Sequence, residues 1–145
     1  MIKVFLDSDV ILDFLLERDP FARHAGLLFA LGEQGSLHLS TSTLSFMNVL
    51  YIARSGRSST QVRSIARTLR RVVGLLPVTA DAVDAAIASD AKDPEDYVQY
   101  SVARAAGFDF LLTRNLKDYP DEPSFVMHPS TFLRTLPDQS DMRSS

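Results

Sequence analysis

Apolar and polar positions alternate along this chain in blocks of strand length and helix length. Residues 2–6 form a short apolar run rich in strand formers, and it stops abruptly at Asp7-Ser8-Asp9. Val10, Ile11, Phe14 and Leu15 follow at helical spacing. A second helix is predicted from about Pro20, with Ala25, Leu28 and Phe29 on its apolar face, before Gly32 and Gly35 mark a loop. Residues 37–39 read as a second strand. Ser40, Thr41 or Ser42 then caps a helix whose apolar positions are Leu44, Met47, Leu50 and Tyr51. Gly56, Ser58 and Ser59 separate that helix from an arginine-rich one with Val62, Ile65, Ala66, Leu69 and Val73 on one face.

Residues 75–78 predict a third strand, and another helix starts near Ala80. Asp93-Pro94-Glu95-Asp96 opens a further helix, with Asp93 as its cap and Pro94 in the first turn, and Gly107 closes it. Residues 108–112 are a fourth strand, 113–118 a polar loop, 125–127 a short fifth strand and 130–136 a last helix. Strands alternating with helices of this length predict an α/β fold with a mainly parallel sheet. One domain is expected over residues 1–136, with a disordered polar tail over 137–145.

Composition narrows the chemistry. The absence of cysteine excludes disulfides, zinc thiolates and cysteine nucleophiles and fits a cytoplasmic protein. Asp7, Asp9, Asp13 and Glu17 interrupt the opening stretch, so neither a signal peptide nor a membrane span is expected. A formal charge of −3 argues against gripping nucleic acid over the whole surface, but the charge is segregated. Arg54, Arg57, Arg63, Arg67, Arg70 and Arg71 fall in one stretch, and acids gather at the beginning and between Asp81 and Asp96.

Ligands of open parallel sheets sit outside the carboxyl ends of the strands, where strand order reverses. The first strand delivers Asp7 and Asp9 there, and the fourth delivers Thr113, Asn115 and Asp118. Asp93, Glu95 and Asp96 start the helix just before the fourth strand. Carboxylates converging without histidine or cysteine make a hard oxygen site suited to magnesium or manganese. Such an ion serves phosphodiester hydrolysis.

Three segments carry a family resemblance: the opening run from Val4 to Asp13, the stretch from Lys92 to Ala103, and the stretch from Leu111 to Tyr119. Together, in this order and spacing, they resemble the PIN-domain family, in particular its bacterial toxin ribonucleases of the VapC type. The resemblance implies a three-layer α/β/α fold around a five-stranded parallel sheet, a divalent metal-dependent endoribonuclease of single-stranded RNA, and products with 5′-phosphate and 3′-hydroxyl ends. It also implies a cognate antitoxin as partner and a homodimer. By position Asp7 and Asp96 carry over as metal ligands. Asn48 and Asn115 stand where many members have glutamate and aspartate, and Asp93 or Asp118 is expected to supply the missing charge. Thr113 and Asn115 would orient water or phosphate, and Arg54, Arg67 and Arg114 are candidate contacts to RNA or a partner.

Each candidate also has a plain structural role available. Asp9 and Asp93 are good helix caps, Glu95 a first-turn acid, and Asn48, Asn115 and Asp118 ordinary helix-face or turn residues. Asp13 and Glu17 read as a solvated face, the arginine-rich helix as solvated or as a track for RNA phosphate, and Phe46, Tyr51, Tyr97 and Tyr100 as packing residues. The three histidines have no metal-ligand spacing. Two other functions fit parts of the sequence: a PIN-like binding module without activity, and a haloacid dehalogenase-type phosphatase with Asp7 as nucleophile and Asp9 as general acid. The second fits poorly after the first strand, because Thr113 and Lys117 are too close together.

Overall fold

A computed structural model describes residues 1–137; the expected tail lies, from residue 138, outside the described residues. Five strands form one sheet: β1 (Ile2–Leu6), β2 (Leu37–Ser42), β3 (Val73–Leu76), β4 (Phe110–Leu112) and β5 (Val126–Met127). All pairings are parallel, in the order β3-β2-β1-β4-β5. Among the described residues seven α-helices connect and flank them: α1 (Ser8–Leu15), α2 (Ala22–Glu33), α3 (Thr43–Ala53), α4 (Ser59–Arg70), α5 (Ala80–Ala88), α6 (Pro94–Ala105) and α7 (Pro129–Thr135).

The sheet is covered on both faces because its side chains alternate between two cores. Val4, Leu6, Leu39 and Leu112 pack with α1, α2, α3, α4 and α7. Phe5 and Leu111 point the other way and pack with Ala86 of α5 and Val98, Val102 and Ala103 of α6. The three-layer arrangement is therefore written in the alternation of β1 and β4. The chain winds from β1 outward through β2 to β3, then returns to pair β4 on the free side of β1. Strand order thus reverses between β1 and β4.

Several boundaries differ from the sequence expectation, each for a tertiary reason. The β2 strand runs three residues further, since Ser40, Thr41 and Ser42 stay paired in the sheet and only Ser42 caps α3, accepting from Ser45 N at 2.9 Å. The β3 strand begins two residues earlier, and Val73 belongs to it rather than to the α4 face. Phe108 precedes β4 and stands edge-on to Phe5. Gly32 is not in a loop: it lies inside α2, and a Cβ there would come within 2.6 Å of Leu39 Cδ1 and 2.9 Å of Val72 Cγ1. The helix needs a residue without a side chain to settle this close to β2.

The apolar stripe expected on α3 is also corrected. Its buried residues are Ser45, Phe46, Val49 and Ala53, while Met47 and Tyr51 are 61% and 65% exposed. A helix apolar nearly all round does not declare its inner face.

Two glycines of α2 give opposite predictions. Gly32→Val is expected to cost about 1–3 kcal/mol by overpacking against Leu39 and Val72. Gly26, where a Cβ meets nothing within 4 Å, is expected to gain roughly 0.5–1 kcal/mol on replacement by Ala. Urea midpoints at constant slope measure both.

Candidate active site

The geometry of the site starts from the pairing of β1 with β4. Their register sets Leu6 opposite Leu112, and Asp7 N continues the ladder by donating to Leu112 O at 3.0 Å. Asp7 and Thr113 therefore leave the sheet side by side at the reversal point. Thr113 Oγ1 donates to Asp7 Oδ2 at 2.8 Å, and Ser8 N donates to Asp7 Oδ1 at 2.7 Å, so Asp7 caps α1. The cap expected at Asp9 is thus made one strand-end earlier.

Asp9, in the first turn of α1, reaches across to the loop after β4. Its Oδ2 accepts from Arg114 N at 3.0 Å, and its Oδ1 is buried with no hydrogen-bond partner. A buried carboxylate oxygen left open in this way carries a cost that a cation would remove. The loop is fixed by Asp13, which is buried rather than on a solvated face. Arg114 donates to it through Nε at 2.6 Å and Nη2 at 3.1 Å, and Arg18 Nε donates at 3.1 Å. The Arg114 guanidinium also lies 3.9 Å from the Phe21 ring centroid. Asp13 follows Val10 by three residues, on the inward face of α1, and that spacing was the overlooked signal for its burial.

The third carboxylate comes from the other layer. Asp93 caps α6, accepting from Asp96 N at 3.2 Å, and this sets Asp96 in the first turn of the helix. Asp96 is close enough to Asp7, Asp93, Asp118 and Glu95 to feel their charge. Asn48 reaches the edge of this cluster through Glu95. Its Nδ2 donates to Glu95 Oε1 at 2.8 Å and tethers α3 to the start of α6. Asn115 is exposed and uses its backbone N on Thr113 Oγ1 at 3.0 Å. Arg54 and Arg67 are exposed on α3's end and on α4, away from this knot of contacts.

Burial and mutual repulsion shape the electrostatics. Burial raises the Asp7 pKa above the usual carboxylate range. Burial first, and then the charge of Asp7, pushes Asp9 up to about 7. The same two causes push Asp96 up to about 8, with Asp93, Asp118 and Glu95 adding to them. Tyr119 was missed in the sequence: its hydroxyl is buried beside these carboxylates without a hydrogen-bond partner, and burial and the charges of Asp7 and Asp96 hold it as a neutral phenol. It marks the loop after β4 as part of the site.

The donor set suits a hard divalent cation. It consists of carboxylate, hydroxyl and amide oxygens, it includes an open buried oxygen at Asp9, and its acids repel one another in the absence of positive charge. Among the described residues, no three histidine, cysteine, aspartate or glutamate side chains already stand at ligand spacing. An ion would complete its shell with water, as magnesium commonly does.

Two outcomes follow. Acids with raised folded pKa values bind more protons folded than unfolded, so the metal-free protein should lose stability as pH rises from about 4 to about 8. Melting temperatures in a chelator should fall across that window, and Asp96→Asn should flatten the slope; a flat profile for the wild type contradicts the electrostatics. Asp13→Ala, which strands Arg114 and Arg18, should cost about 3 kcal/mol in denaturant unfolding.

Comparisons with known proteins agree with the fold. The sequence profile of the PIN domain matches residues 3–117. No curated protein matches the sequence significantly. Among solved structures, a toxin–antitoxin complex from Klebsiella pneumoniae aligns with a TM-score of 0.65 at 18% identity, over 87% of this chain and 97% of that one. A DNA-bound VapBC from Salmonella typhimurium aligns at 0.63 and 18% identity, over 88% and 98%. VapC20 of Mycobacterium tuberculosis, described as a sarcin-ricin loop cleaving toxin, aligns at 0.58 and 19% identity, over 74% and 86%. The structural likenesses concern the fold; the profile match extends over most of the sequence and takes in Asp7, Asp96 and Thr113, and on it this chain belongs to the PIN-domain family.

Proposed function

We propose that the chain is a divalent-metal-dependent endoribonuclease acting on single-stranded RNA, and that it serves as the toxin of a toxin–antitoxin pair. The observation that carries the reading is the convergence of Asp7, Asp9 and Asp96 at the reversal point between β1 and β4, where each acid is hard to ionise without a cation. Family membership supports nuclease chemistry, and the toxin–antitoxin relatives support an antitoxin as partner. The phosphatase alternative has no support from the family match.

Asp7 and Asp96 would hold magnesium or manganese, with Asp93 and Asp118 near enough to add charge. When bound, the ion polarises a phosphoryl oxygen and lowers the pKa of water. The chain's own side chains do the rest. Thr113 fixes the Asp7 carboxylate through its hydroxyl, and Asp93 fixes the helix start that carries Asp96. Asn115 offers an exposed amide to water or phosphate at the edge of the site. Tyr119, a neutral phenol beside Asp7, has a proton to donate to a phosphate oxygen. Asn48 acts through Glu95, whose carboxylate it holds next to Asp96.

Cleavage of single-stranded RNA should require magnesium or manganese and disappear with chelator. Asp7→Asn and Asp96→Asn should each lower kcat by roughly a hundredfold or more, and Thr113→Val by about tenfold. A wild-type chain that folds, binds RNA and leaves it intact with either metal would point to the inactive binding module.

A further inference from the structure

On the outer side of the α3–α4 pair lies an open groove of about 710 Å³. Met47, Leu50 and Val62 line it together with Arg54, Arg57 and Arg63, and no acidic side chain does. This is a local excess of positive charge in a chain whose net charge is −3. Beside the arginines stands Tyr51, 65% exposed, with the Arg54 guanidinium 4.0 Å from its ring centroid. Tyr51 was expected to be a packing residue, but α3 turns Phe46 and Val49 inward and leaves this ring in water. With Arg54 against one face, the exposed ring offers its other face for a base to stack on, and the arginines of the groove offer charge for its phosphates.

The groove also leads somewhere. Asn48 is in its lining, and Asn48 is the residue whose amide holds Glu95 at the start of α6, next to Asp96. The basic groove and the carboxylate cluster therefore meet at one side chain. We infer that the α3–α4 groove binds the single-stranded RNA that flanks the cleaved phosphodiester, with a base stacked on Tyr51 and phosphates met by Arg54 and Arg63. This rests on the ribonuclease reading above and adds the path of the substrate to it. An acidic peptide or a second copy of the chain would pack on the same ring and arginines, and the salt slope together with Tyr51→Phe below separates them from RNA.

Arg57 is a poor probe, because its Nη1 donates to Ala53 O at 2.8 Å and helps end α3. The informative substitutions are Arg54→Ala, Arg63→Ala and Tyr51→Ala, all at exposed side chains, with circular dichroism to verify folding. The Asp96→Asn chain, unable to cleave, is titrated into a short labelled single-stranded RNA over a range of salt concentrations. Each arginine substitution should reduce the salt slope of log Kd by about 0.7. Tyr51→Ala should weaken binding roughly tenfold at all salts, and Tyr51→Phe should retain it. In the chain with Asp96 intact, the same substitutions should raise KM and leave kcat nearly unchanged. RNA binding with these dependences but no cleavage by the wild type would defeat the nuclease reading and leave the groove standing. Three folded variants with unchanged affinity and salt slope would overturn the groove assignment. So would variants that lose only the binding of an acidic peptide, or only shift the chain from dimer to monomer in a sizing column.

Discussion

The costly feature of this protein is the concentration of carboxylates at one end of its sheet, and much of the surrounding structure holds them there. Asp7 and Asp9 leave β1 within one helical turn of each other, and α6 brings Asp96 against them from the opposite layer. In water such acids would separate and ionise. Here the β1–β4 pairing, the Thr113 hydroxyl and the Arg114 backbone N hold Asp7 and Asp9 in place, and the Asp93 cap holds the helix start that carries Asp96. Such preorganisation transfers the cost of assembling the site to folding, and it is the condition under which charged groups act strongly in catalysis.

Asp13 has a supporting part in that arrangement. The fork of Arg114 on its carboxylate anchors the loop after β4 to α1, and Arg18 closes the same carboxylate from the other side. The loop's backbone can then serve Asp9 while its hydroxyl at Thr113 serves Asp7. The ion pair is thus a fastening for the site rather than part of its chemistry. It also withdraws Arg114 from the set of freely available cations, whereas Arg54 and Arg63 are exposed along the α3–α4 groove.

Charge is separated in space as it is along the sequence. Acids line the reversal point of the sheet and arginines the α3–α4 groove, and the Asn48–Glu95 hydrogen bond joins the two. A glutamate at position 48 would face Glu95 across the same gap and repel it. The amide instead donates to Glu95 and keeps it in position beside Asp96.

Much of the fold was legible in the residues themselves. Periodicity and caps gave every strand and α-helix and a mainly parallel sheet, because these patterns depend on neighbours close in sequence, and the three layers were implied by the family resemblance. Asp7 could be singled out because a carboxylate that ends an apolar strand must be compensated. Whatever depended on contacts distant in sequence was not legible. Nothing local distinguishes the inner from the outer side of α3, the close approach that needs Gly32, the pairing of Asp13 with Arg114 a hundred residues away, or the Tyr119 hydroxyl beside Asp7. The sequence by itself determined the elements and the type of chemistry, since both reside in residue identity and short-range spacing. Which acids meet, which arginines stay free and which aromatic ring faces water were decided only when parallel pairing of β1 with β4 brought positions 7 and 113 together and packed α6 over them.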